Sequence, residues 1–116
     1  MLDVEIKRND RTHALSLVAK GHAGNEPNGQ NIICAAASML VEMLAFNVAM
    51  CNDIGDFIYT PKIKKESGHA EIKCVCSAQS YGEVARLFFF VHTGFIQLSI
   101  NYPDEVCVNT FDDMTE

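Results

Sequence analysis

Residues 31–51 contain no Gly or Pro, are rich in Ala, and place apolar side chains on nearly every side of a helical wheel. Such a helix has to be covered all round. A chain of 116 residues suffices for one compact domain but not for two. Within it, one sheet covers only one face of the helix, so the rest requires a second helix or a partner subunit. A membrane would be another cover, because residues 32–51 stay apolar over about the ~20 residues that a span needs. Glu42 lies near the middle of that stretch, at a cost of roughly 2.5 kcal/mol or more, and aromatic or basic anchors are missing from its ends. A buried core helix, with no membrane, is therefore expected.

Hydrophobic residues make up 48% and charged residues 21% of the chain, an ordinary globular balance. Nine Lys and Arg against fifteen Asp and Glu leave a net charge of −6. That field repels phosphate backbones, so nucleic acid is not an expected partner, whereas a basic protein or peptide would be attracted. The five cysteines form an odd set, and the opening Met1-Leu2-Asp3-Val4-Glu5 lacks the basic start and apolar run of a secretory signal. A reduced, cytoplasmic chain is expected rather than a disulfide scaffold.

Leu2, Val4 and Ile6 alternate with Asp3, Glu5 and Lys7, and an extended pattern resumes over 14–19 after the turn-forming Arg8-Asn9-Asp10-Arg11, which predicts an opening β-hairpin. Gly21, Gly24, Pro27 and Gly29 crowd with Asn25 and Asn28 into a stretch that suits neither helix nor strand, so 21–30 is expected to be a mobile loop. After the long helix come predicted strands at 57–60 and 70–76, separated by Pro61 and a basic stretch ending in Ser67-Gly68. Ser80 and Glu83 fit a capping box for a second helix carrying Val84, Leu87, Phe88, Val91, Phe95 and Leu98. That helix should stop before Tyr102-Pro103. A short strand at 106–108 and a frayed acidic tail over 112–116 complete the chain. The order β-β-α-β-β-α-β describes an α/β (α+β layer) fold, a mostly antiparallel sheet packed with two long helices, in one domain spanning 1–116.

The segment richest in chemistry is Gly21-His22-Ala23-Gly24, a loop, and then Asn31-Ile32-Ile33-Cys34-Ala35-Ala36-Ala37-Ser38. If Asn31 caps the long helix, Cys34 falls in its first turn, where free amides and the positive dipole end favour an anion. A thiol in such a place ionises more readily than a free one. His22, just ahead of the loop that leads back to Cys34, would supply the proton carrier for acyl transfer, and the helix-terminal amides would hold an oxyanion. Read as isolated residues, a Cys in an Ala-rich helix is a small buried hydrophobe and a His at a strand end is a surface residue.

The remaining candidates read more plainly. Cys74 and Cys76 share a strand face near His69, but without the paired-ligand spacing of a zinc site they are expected to be strand cysteines; a metal or redox role is the other possibility. His92 is expected to be an interior or interface residue and His13 to flank the hairpin turn. Lys62, Lys64 and Lys65 with Glu66 form a solvated face. Phe88-Phe89-Phe90 exceeds what one helix face needs, and core plus dimer contact accounts for it.

At its His22 and Cys34 segment the chain resembles the bacterial ribosomal-processing cysteine protease (Prp) family, whose signature is G-H-A-x-G followed after a loop by D-I-V-C-A-A-x-S. Here the closing glycine, Gly24, comes one place early. Chain length, element order and Tyr102-Pro103 also fit. The resemblance implies a thiol protease with Cys34 as nucleophile and His22 as general base, acting as a homodimer without metal or other cofactor. It further implies removal of the amino-terminal extension of large-subunit ribosomal protein twenty-seven, cut after an aromatic residue, with Gly24, Asn25, Glu26, Pro27, Asn28 and Gly29 closing over substrate. An apolar pocket near Cys34 follows. Asn31 departs from the family's Asp: a neutral amide still caps the helix and still orients an imidazole, but stabilises an imidazolium less. Ser38, one turn after Cys34, matches the family's serine. The competing expectation is a non-catalytic homodimeric module that binds a ribosomal protein or basic peptide.

Overall fold

The computed structural model describes residues 1–22 and 31–113. Apolar alternation produces β1 (Leu2–Asn9) and β2 (Ala14–Gly21), paired antiparallel. In the turn between them Asn9 Oδ1 accepts from the amides of Arg11 and Thr12, each at 3.0 Å, and His13 takes a left-handed φ of 62°. There follow α1 (Ile32–Asp53), β3 (Lys62–Glu66), β4 (His69–Val75), α2 (Tyr81–Asn101) and β5 (Val106–Val108). The strands form one sheet in the order β3-β4-β2-β1-β5, in which the β1–β5 pair is parallel and the other pairs are antiparallel. This is the expected α+β layer architecture.

Register decides which face is covered. Val4 lies beside Ala19 and Ala70, and Ile6 beside Leu17 and Ile72, so these buried rows run across three strands on one face. Asp3, Glu5, Lys20 and Lys73 point the other way into solvent. Both helices therefore pack on the same side, each fully buried side chain contributing roughly 1.5–3 kcal/mol. From α1 come Ile33, Ala37, Val41, Leu44 and Val48; from α2 come Val84, Phe88, Val91 and Phe95. A Cβ on Gly94 would stand 2.6 Å from Leu40 Cδ2, so the bare backbone of α2 lets α1 seat against it.

Several local expectations are corrected. The third strand is not at 57–60, where Phe57 makes only an isolated bridge to Cys76, but at Lys62–Glu66, the stretch read as a solvated basic face. It is both: an exposed edge strand, where charged side chains discourage further pairing. Ser80 precedes α2 but forms no side-chain cap; its hydroxyl donates to Asp56 Oδ1 at 2.7 Å instead. Of the tail expected to fray over 112–116, residues 114–116 lie outside the described residues, and Asp113 bridges to Arg8 while its Oδ1 accepts from the Asp10 amide at 3.1 Å. His92, by contrast, is the satisfied interior residue that was expected: it is buried, with Nε2 2.7 Å from the Asn109 carbonyl oxygen. Finally, α1 is not covered all round by its own chain: Met39, Met43, Phe46 and Met50 form an exposed stripe, and Phe89 and Phe90 are exposed on α2. By length and composition α1 could cross a membrane, yet its inner face is packed on the sheet and on α2.

Candidate active site

Strand β2 ends at Gly21, whose φ is +94°. A Cβ there would stand 2.3 Å from the Met1 carbonyl oxygen, so glycine is required twice over, by conformation and by space. The positive φ also breaks the alternation that would send residue 22 to the open face of the sheet. His22 instead lines a cleft on the helix side, about 340 Å³ in volume, which Cys34 lines as well. The Gly21 amide donates to the Gly68 carbonyl at 3.0 Å, tying the end of β2 to the turn between β3 and β4.

Cys34 comes to this cleft from the first turn of α1. Asn31, extended at φ −89° and ψ 127°, is the cap: its Oδ1 accepts from the Ile33 amide at 2.7 Å and the Cys34 amide at 3.1 Å, and its carbonyl accepts from Ala35 at 3.0 Å. The free amides of the first turn were expected to hold an oxyanion, and in the structure two of them, those of Ile33 and Cys34, are engaged by Asn31 Oδ1. Asn31 Oδ1 thus serves as the helix cap.

Small side chains hollow out the floor of the cleft. Ala19 from β2, Ala37 from α1 and Ala70 from β4 leave room above Phe95, while Leu2 and Val41 complete an apolar surface. Ser38, exposed, lies on the same wall as Cys34. At the rim Lys65 Nζ reaches Glu42 Oε2 at 3.0 Å, bridging β3 to α1.

His69 borders the cleft too, but strand alternation places its ring on the open face, where Nε2 is 3.1 Å from Glu71 Oε1. Lys62, 3.0 Å from the other oxygen, and His69 hold the Glu71 carboxyl down to about 2. Among the described lining residues Cys34 is the sole thiol. Cys74 and Cys76 are buried, and the Cys74 thiol is pushed up by its hydrogen bond with Cys76 and by desolvation. Burial and the nearby Asp56 raise Cys51 in the same direction. Among the described residues there is no group of three His, Cys, Asp or Glu arranged to hold a metal ion.

A family model described as cysteine protease Prp matches residues 1–107. The chain belongs to that family. As a member of the Prp family it is a cysteine protease. Two crystal structures of the essential ribosomal processing protease Prp from S. aureus share its fold. One, with a covalently linked product peptide, has a TM-score of 0.67 at 23% identity; the other, with a substrate peptide, has 0.64 at 20%. Each comparison covers 94% of this chain and 98% of the other. SMU.848 from Streptococcus mutans is similar over 100% of this chain and 96% of its own, with a TM-score of 0.64 and 26% identity. No curated protein matches.

The two elements that carry the Prp signature thus meet at one cleft, although loop residues Gly24, Asn25, Glu26, Pro27, Asn28 and Gly29 lie outside the described residues. Sequence reasoning missed Gly68, Glu42 and Lys65. The first had a visible signal, a Ser-Gly pair closing a charged run; the ion pair between α1 and β3 had none. The role of Asn31 as a cap is open to direct measurement. Asn31→Ala is expected to cost about 0.5–2 kcal/mol in urea unfolding, whereas Asn31→Asp, an equally good cap, should fall within a few tenths of wild type.

Proposed function

We propose that the chain is a ribosomal-processing endopeptidase in which Cys34 is the nucleophile and His22 the general base. His22 takes the thiol proton as Cys34 Sγ bonds to the scissile carbonyl carbon, then delivers that proton to the leaving amine as the C–N bond breaks. Water, giving a proton to the same imidazole, hydrolyses the resulting thioester and regenerates the thiol. The substrate in this reading is the precursor of large-subunit ribosomal protein twenty-seven, cut after an aromatic residue whose ring enters the hollow left by Ala19, Ala37 and Ala70. Cytoplasmic location accords with five free thiols.

The observation that carries this reading is the convergence of His22 and Cys34 on one cleft from opposite sides of a segment that separates them in sequence. The test is incubation with a peptide spanning the amino-terminal extension. Cleavage after the aromatic residue, abolished by Cys34→Ala, is the expected outcome; tight binding without cleavage would make the protein a binding module for that peptide.

The reading includes a homodimer. Met39, Met43, Phe46 and Met50 follow the alternating spacing of a helix-pairing seam and stand exposed along α1. Sedimentation should find a dimer in the wild type and a monomer for Phe46→Glu, because a carboxylate in that seam would be buried without a partner. A wild type that sediments as a monomer at micromolar concentration rules the seam out.

A further inference from the structure

We infer that Gly68, in the turn between β3 and β4, is a positioning residue for His22: its bare face is the seat on which the imidazole rests. The inference relies on the Cys34–His22 assignment above and extends it to a residue outside the signature segment. A Cβ built on Gly68 would lie 2.9 Å from His22 Nε2, 3.4 Å from Cε1 and 3.6 Å from Cδ2. The ring therefore meets the turn with its Nε2 corner, closer than any side-chain carbon would allow. Gly68 has a φ of +75°, which presents that face to the ring, and its carbonyl accepts from the Gly21 amide at 3.0 Å. One residue thus holds both the backbone just before His22 and the side chain of His22 itself.

The physical need for a seat follows from where His22 stands. It is exposed at the end of a strand, directly after a glycine with a freely adopted positive φ. Nothing in strand packing restrains its rotamer there, and a proton carrier that wanders over several orientations spends little time in the productive one. Contact with Gly68 removes part of that freedom. A methyl group at the same place would displace the ring toward solvent, and a displacement on the order of 1 Å at a reacting group costs about 10²-fold in rate.

Gly68→Asn is the informative variant, because Asn adopts the left-handed region with little strain yet carries the Cβ. We expect it to lower kcat/KM on the extension peptide by roughly 10- to 100-fold, chiefly through kcat. In a His22→Ala background the same change should have no further effect, since the ring it displaces is gone. If Gly68→Asn lowers activity by the same factor in both backgrounds, or leaves wild-type activity intact, the seat is overturned while the Cys34–His22 reading stands. If His22→Ala itself retains full activity, that reading fails and the seat with it. Should Gly68→Asn not fold, the wild type still decides: a nuclear Overhauser effect between the His22 ring protons and the Gly68 Hα protons is expected, and its absence refutes the contact.

Discussion

On the extension peptide, His22→Ala is expected to lower kcat/KM by about 10²–10⁴-fold, the range over which a positioned acid–base group contributes. Cys34→Ala should remove turnover above that of a control protein, since no other thiol lines the described cleft to take its place. The double variant should be no worse than Cys34→Ala alone. Residues that perform one proton transfer and one attack act as a unit, and the second loss removes nothing once the first has stopped the reaction. Full additivity would instead mean that the two side chains serve separate steps. Turnover by Cys34→Ala equal to wild type would show that a different nucleophile does the work. His69 is the natural control for the base: its ring faces away from the cleft and is paired with Glu71, so His69→Ala should leave kcat/KM within a few-fold of wild type.

The geometry explains why the candidate site's position in the fold could be read from residue types while some of its parts could not. Cys34 in the first turn and Asn31 at the cap follow from one local rule, the preference of Asn for helix starts, which needs no tertiary information. The buried rows Val4–Ala19–Ala70 and Ile6–Leu17–Ile72 follow from alternation, another local pattern. By contrast, β3 carries Lys62, Lys64, Lys65 and Glu66, and only its pairing with β4 makes it a strand. Phe57-Ile58-Tyr59-Thr60 has the stronger intrinsic strand preference, yet it meets β4 only at that strand's end, through the Phe57–Cys76 bridge and the Ile58 amide on the Val75 carbonyl, so no ladder develops. Helix surfaces failed for a related reason. Wheel periodicity counts apolar side chains around α1 but does not say which of them a neighbour reaches, so Met39 and Leu44 look alike in sequence and differ fully in burial. The destination of the helix-terminal amides was also out of reach. Whether they serve a ligand or the cap depends on where Asn31 Oδ1 points, which composition does not encode.

Phe95 joins the stability of the fold to the shape of the cleft, and Phe95→Ala is expected to have the largest effect on folding of any change considered. Its ring is fully buried on α2, between the sheet and α1, and also closes the floor beneath the three alanines. Truncation to Ala in such a place costs about 3–5 kcal/mol, transfer and cavity together. Against a total of about 5–15 kcal/mol for a domain, this is a fifth or more of what holds the protein folded. With a urea slope of about 1–3 kcal/mol/M, the midpoint should fall by roughly 2 M. Phe95→Leu, closer in volume and without the ring, should cost less than about 1.5 kcal/mol and keep the protein folded. That variant isolates the cleft: if the residue before the scissile bond enters the hollow as proposed, a floor lowered by the missing ring edge changes the depth available to it. Its kcat/KM should shift in favour of larger aromatic side chains at that position relative to leucine, with the alkylation rate of Cys34 unchanged. A loss below 1 kcal/mol for Phe95→Ala would mean that α2 docks without this ring, and an unchanged preference in Phe95→Leu would mean that the hollow over Phe95 does not receive the substrate.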